Sequence, residues 1–185
     1  MSDVAAAIMD AAERRIRIGG FNGFSFREIA AEVGVKSSSV HYHFPTKEDL
    51  AAAVIKRYTS EVAELIDREL KKDPDPVNVW VKAFRGTLHS KDRMCPCAVL
   101  GASSMDLPAE VAAEVKNFFT MCHDKLVDEG LSPDEATQLL ATITGALVLA
   151  NSVRDFAAYD RATREFIRAR RPAPVKAGRQ RSKQS

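Results

Sequence analysis

Within seven consecutive positions the chain places Ser37, Ser38, Ser39, His41, Tyr42 and His43, flanked by Lys36 and Lys47 and without a carboxylate. Hydroxyls, imidazoles and a phenol are short donors and acceptors suited to close approach to base edges, and a tyrosine can also touch a thymine methyl or donate to a phosphate. Lysines at both ends of such a run are placed to reach phosphates on either side of a groove. A second candidate is Cys95-Pro96-Cys97. Pro96 can start a short helix and set one sulfur at its N-terminus, where a thiolate is favoured, with Lys91 and Arg93 acting in the same direction. That pattern fits a thiol reactive toward oxidants or electrophiles, and it equally fits cysteines used as small apolar core residues. The C-x-C pair, the adjacent Cys122-His123 and His89 lack the paired C-x-x-C spacing of zinc sites, so no metal is expected. A glycine-rich phosphate loop, H-E-x-x-H, G-x-S-x-G and alternating strands and helices are all missing, and His89 and His123 have no Ser or Asp partner nearby in sequence. Neither an enzyme nor a cofactor is expected.

The elements that must position the first cluster are legible. Ser25 and Glu28 spell a capping box, so a helix starts there. Phe26, Ile29, Ala30 and Val33 follow at i, i+3, i+4, i+7 as one apolar stripe. Gly34 then ends the helix where a left-handed residue is needed. Val35 plugs the corner, and Val40 with Phe44 gives a second, short helix a narrow inner edge. At about 100° per residue, Ser38 and Tyr42 fall opposite that edge, flanked by Ser39, His41 and His43. Two helices joined by a short glycine turn, with small Ala30 at their contact, fit a helix-turn-helix whose outer face lies in a DNA groove. Taken alone, the short helix would also pass as a polar surface helix.

The run from Phe21 to Leu50, with its Tyr42-x-Phe44-x-x-Lys47-x-x-Leu50 close, resembles the DNA-binding segment of the TetR family of bacterial one-component transcription regulators. The resemblance is specific over residues 5–55; beyond Tyr58 only helical architecture and length agree. It implies an all-helical homodimer, usually a repressor, that leaves a palindromic operator when a small molecule binds its C-terminal domain. It also implies that Ser25 and Thr46 cap helices pointing at phosphates, while Ser38, Ser39, His41 and Tyr42 face bases. The family is often more basic or aromatic at the position of His41, which leaves the operator sequence open.

The composition is that of an ordinary soluble globular protein, 185 residues, 45% hydrophobic and 28% charged, with a formal net charge of +2; the all-α fold class is what the helical reading and the resemblance imply. Seven basic residues and no acidic one follow Glu165, so the rest of the chain is mildly acidic, which suits a local DNA contact better than a general nucleic-acid coat. Three cysteines and no leader-like N-terminus suit the cytoplasm. The charge-free run from Leu139 to Val153 is too short and too polar to span a bilayer.

Three regions are expected: a helix-turn-helix head over 1–46, a helical ligand-binding and dimerisation body over 47–170, and a mobile basic tail over 171–185. Helices are read from near Asp3 to Ile18, from Thr46 to Lys72, from Val77 to a close near Ser90–Arg93, from Pro96, from Pro108 to Gly130, from Pro133 to Ala158 and from Arg161 to Arg170. Phe21 and Phe24 should form the aromatic floor of the head, and the helix after Thr46 is the only continuous rod from head to body. The helix from Pro133, apolar nearly all round between Leu139 and Ala150, needs a cover on both sides. A second copy, meeting it through the last two helices, supplies that cover. An apolar or electrophilic effector would enter a cavity walled by Trp80, Phe84, Met94, Cys95, Cys97, Leu100, Met105, Phe118, Met121 and Cys122; each could equally be plain core. The competing reading is an architectural DNA binder that needs no ligand.

Overall fold

In the computed structural model, which describes residues 3–89 and 94–169, the helices start where the sequence caps them. Helix α1 runs Asp3–Gly19, followed by a 3-10 turn at Phe21–Gly23. Helix α2 spans Phe26–Val33, with the Ser25 hydroxyl accepting from the Glu28 amide and the Glu28 carboxylate accepting from the Ser25 amide at 2.8 Å. Gly34 adopts φ 78° and donates its amide to the Ala30 carbonyl, which turns the chain into α3, Ser37–His43. Thr46 and Asp49 close a second capping box over α4, Lys47–Leu70. Next come α5 (Pro76–Thr87), α6 (Pro96–Gly101), a 3-10 turn at Ser104–Asp106, α7 (Ala109–Asp128), α8 (Pro133–Ser152) and α9 (Ala157–Ala169). No strand occurs among the described residues.

One continuous apolar core runs from Ala5 to Tyr159. Helix α4 lies chiefly along α7, burying Leu50, Val54, Tyr58, Val62 and Ile66, while α8 pairs with α9 and α5 packs on both. The head is fastened by charge as well as by packing. Glu32 of α2 accepts from Arg14 at 2.8 Å and from Arg15 at 2.9 Å, and Arg57 of α4 reaches Asp10 at 2.7 Å and Glu13 at 2.9 Å on α1. Lys47 stands over the rings of Phe21 and Phe24, at 4.6 and 4.8 Å from their centroids, which places the aromatic floor beneath the start of α4.

Three helix limits differ from the sequence expectation. Helix α8 ends at Ser152, not Ala158, and α9 starts at Ala157, not Arg161. Arg154 takes φ 53°, the Asp155 amide returns to the Ala150 carbonyl at 3.0 Å, and the Asp155 carboxylate receives the Ala157 amide and the Arg161 guanidinium. This is a left-handed helix close followed by an Asp cap. It was hidden because an arginine fills the position where a glycine would have signalled it. Helix α5 stops at Thr87, short of the expected close, where i to i−3 bonds from Leu88 and His89 tighten the last turn. The expected basic tail and residues 90–93 lie outside the described residues.

Helix α8 buries Leu139, Ile143, Leu147 and Ala150 on one side. On the other, Val148, Leu149 and Val153 remain half exposed.

Candidate nucleic-acid interface and effector cavity

The fold turns the polar side of α3 outward. Val40 is fully buried and Phe44 nearly so, which fixes the rotation of the helix; Tyr42 is then 84% exposed, and Ser37, Ser38 and His41 are exposed beside it. Ser39 and His43 are half-buried, and Lys36 precedes the helix in solvent. His41 is held from two sides, edge-on to the Phe26 ring at 4.6 Å and with Nδ1 at 3.4 Å from the Pro45 carbonyl oxygen. The Tyr42 ring meets that of His43 edge-on at 5.2 Å. This is a rigid, carboxylate-free ridge of donors and acceptors.

Ser25 and Thr46 cap α2 and α4 as expected, and Lys47 at the start of α4 is held against the head. The Ser25 hydroxyl donates to Glu28 at 2.8 Å and the Thr46 hydroxyl to Asp49 at 2.7 Å, so both hydroxyl hydrogens are committed to their capping boxes. Lys47 is half-buried with its ammonium over two rings, so its charge is seated on the head rather than swinging free. Arg27, which the sequence reading passed over, is exposed on α2, with no ion pair recorded for it among the described residues. The only signal for it was an unmatched basic residue in the first turn after a cap.

The body residues divide differently from expectation. Trp80, Phe118, Leu100, Cys95, Cys97 and Cys122 are buried and form the packed centre, while Met94 and Met121 are half-buried against it. Met105 is 94% exposed, which corrects its expected place in a cavity wall: it sits in the 3-10 turn between α6 and α7 and points to solvent. Of the expected set, Phe84 lines a space of about 330 Å³ between α4 and α5 bounded also by Arg17, Tyr58, Glu61, Val62, Leu65, Ala83, Gly86 and Thr87. The sequence reading missed Arg17, Tyr58 and Glu61 because they occur inside helices whose periodicity advertises only packing. Another space, about 530 Å³ and open, runs between α7 and α8 along Phe119, His123, Leu140 and Thr144.

All three cysteines are free thiols. Burial opposes ionisation of Cys95, yet hydrogen bonds from the Cys97 thiol, the Ala98 amide, the Tyr58 hydroxyl and the Cys97 amide outweigh it and bring its pKa down to about 7. The same shared proton, after burial, drives Cys97 the other way, and burial raises Cys122. Tyr58 is pushed up by burial and by Cys95. Among the described residues no three His, Cys, Asp or Glu side chains come together as a metal site.

A buttressed helix-turn-helix on an all-helical body, with an outward polar helix, defines a DNA-binding transcription regulator. The family model for bacterial regulatory proteins of the tetR family matches residues 8–54. A TetR-family transcriptional regulator from Agrobacterium tumefaciens is similar over 90% of this chain and 96% of its own, with 27% identity and a TM-score of 0.84. A TetR transcriptional regulator from Legionella pneumophila is similar over 91% and 98%, with 26% identity and a TM-score of 0.83. No curated protein matches the chain at a significant level. Residues 8–54 thus match the tetR-family DNA-binding segment, and the chain as a whole has the fold of these TetR-family regulators.

Proposed function

We propose that this regulator is a sequence-specific repressor that acts as a homodimer and leaves a palindromic operator when a small-molecule or thiol-reactive effector engages its body. The observation that carries the reading is Tyr42, exposed at the crest of a helix whose opposite edge is locked by Val40 and Phe44. Ser37, Ser38, Ser39, His41, Tyr42 and His43 form the base-reading ridge, with Lys36, Lys47 and Arg27 toward phosphates. Ser25 and Thr46 act mainly by holding α2 and α4 in place. A single head offers too few base contacts for genomic specificity, so two heads on a two-fold axis read two half-sites. The half-exposed Val148, Leu149 and Val153 supply the seam that joins two copies through α8 and α9. The head occupies 1–46, the effector and dimerisation body 47–170, and 171–185 is a basic tail.

No helix among the described residues is long and apolar enough to cross a membrane, which is consistent with a cytoplasmic protein. The thiol-reactive arm is supported by the low pKa of Cys95, although the burial of both sulfurs requires α6 to loosen before a reagent can enter.

The test is binding of the full chain to the DNA flanking its own gene. Protection of a palindromic segment, with scrambled DNA of equal length bound at least about a thousandfold more weakly at the same salt, supports the proposal. Equal affinity for both would instead establish the architectural alternative.

A further inference from the structure

The cavity between α4 and α5 has an unusual charge setting. Its polar lining comes from Arg17, Tyr58, Glu61 and Thr87. Three of these are already engaged: the Arg17 guanidinium binds Glu13 at 2.7 Å and the Met94 carbonyl, the Tyr58 hydroxyl pairs with Cys95, and the Thr87 hydroxyl donates to the Phe84 carbonyl at 2.8 Å. Glu61 is different. Its side chain is 57% exposed, and the ion pair recorded for it among the described residues is a loose one of 3.5 Å to Arg57.

Glu61 also belongs to a connected network with a deficit of positive charge. Arg17 pairs with Glu13, and Arg57 pairs with Glu13 at 2.9 Å, Asp10 at 2.7 Å and Glu61. Two guanidiniums therefore face three carboxylates. Burial raises the Glu61 pKa, Arg57 lowers it, Glu13 and Asp10 raise it and Arg17 lowers it least, and the net rise is the direction expected of a carboxylate short of a counter-charge. Beside that carboxylate lies an apolar trough of Val62, Leu65, Ala83 and Phe84. Leu65, Ala83 and Gly86 also line a second space of about 310 Å³, so the trough continues along the α4/α5 seam. A volume near 330 Å³ sits at the lower end of small-molecule pockets, which run from about 300 to 1,000 Å³.

We infer that this trough binds a cationic amphiphile, its positive group on Glu61 and its apolar body along Leu65, Ala83 and Phe84. The inference rests on the reading of the body as an effector domain and gives that effector a chemical class. An occupant would lie against Arg17, a residue of α1, and so would touch the DNA-binding head directly.

The chain contains its own reporter and a site for a plug. Trp80 is the single tryptophan, and its ring centroid lies 5.9 Å from that of Phe84 in the cavity wall. Gly86 lines both spaces, and a Cβ added there would meet nothing within 4 Å, so Gly86→Leu fills the trough without a clash at its root.

The experiment titrates the full-length protein with decyltrimethylammonium, decanoate and decanol, following Trp80 emission and calorimetry. The cation should bind about tenfold or more tightly than either comparison, as one charge-assisted contact provides. Glu61→Gln should erase that preference while leaving decanol affinity unchanged, and Gly86→Leu should abolish binding of all three with the melting curve preserved. Equal or tighter binding of decanoate or decanol, retention of the cation preference in Glu61→Gln, unchanged binding in Gly86→Leu, or no binding of any probe overturns the inference. Cation binding that leaves the protein on its operator would uphold the site and refute effector-driven release instead.

Discussion

Replacing Leu149 by Glu on the open side of α8 should separate the two subunits of the proposed dimer. In the single chain Val148, Leu149 and Val153 are 46%, 49% and 54% exposed. Fully burying a Val or Leu side chain is worth about 1.5–3 kcal/mol, so covering the open half of each returns about 1 kcal/mol. A two-fold axis doubles every term, and these three positions then contribute about 6 kcal/mol to association. The substitution forfeits about 2 kcal/mol of this across the pair and places two unpartnered carboxylates in an apolar seam, at several kcal/mol more. The dimer dissociation constant should therefore rise by at least about a thousandfold. The fold should survive, because position 149 faces solvent in an isolated subunit. Sedimentation velocity across a concentration series reads the assembly, and anisotropy on a palindrome and on a half-site reads the consequence. The variant should sediment as a monomer and bind both DNAs alike. A dimer at micromolar concentration with unaltered operator affinity would refute the assignment of this face.

Tyr42→Ala should cost about 1–3 kcal/mol of operator affinity per half-site, with the melting free energy within about 0.5 kcal/mol of wild type because the ring is almost wholly in solvent; equal operator affinity across a salt titration would sink its base-reading role. Lys47→Met keeps an apolar stem against Phe21 and Phe24 but removes the charge, so binding to all sequences should weaken alike and the salt slope should fall by about one per head; an unchanged slope would assign the lysine to its aromatic seat alone. Diamide should weaken operator binding by wild type but not by Cys95→Ser, with a rate that climbs as pH rises through about 7 and then levels, as thiolate attack requires; wild-type binding indifferent to diamide ends the sensing idea. Hydrogen bonds from Arg14 and Arg15 hold the Glu32 carboxyl below its ordinary value, so its contribution is present in full above the ordinary carboxylate range and is lost as pH falls through the depressed value. Glu32→Gln should thus destabilise by about 0.5–1 kcal/mol at pH 7 and by progressively less as the pH is lowered through the carboxylate range, read by thermal melts along that series; a difference that stays constant with pH would refute the linkage.

What could be read from the sequence was whatever depends on neighbours in the chain. The Ser25–Glu28 box, the Gly34 turn and the Val40–Phe44 edge are local rules, and each appears where the spacing put it. The Arg154 close was illegible because αL arginine is a choice made by the surrounding packing of α8 and α9, not by propensity. The cavity was illegible for a related reason. Trp80, Leu100 and Phe118 have the sizes expected of pocket walls, but whether a large apolar side chain lines a space or fills it depends on helix positions no single-chain periodicity encodes. Lys47 shows the limit most clearly: its register along α4 was predictable, its seat on two phenylalanines was not.

Helix α4 was expected to be the one rod between head and body, and the contacts make it one of several ties. Arg57 joins α4 to α1 through Asp10 and Glu13, Arg17 of α1 reaches the Met94 carbonyl ahead of α6, and the Gly20 backbone of the head approaches Val99 on α6. An effector that favours one head spacing a hundredfold supplies about 2.7 kcal/mol. Pulling the Arg57 guanidinium of α4 off both Asp10 and half-buried Glu13 of α1 would cost about 3–6 kcal/mol, at about 1.5–3 for each charged hydrogen bond. The second sum exceeds the first, so an effector cannot slide α4 past a stationary α1. The cheaper motion carries α1, α2 and α3 with α4 as one rigid body, which preserves the α3 ridge and, in the proposed dimer, changes only its distance from the ridge of the second copy. Release of DNA by loss of half-site spacing, with each head still competent for a single half-site, is the outcome this arrangement of charges permits.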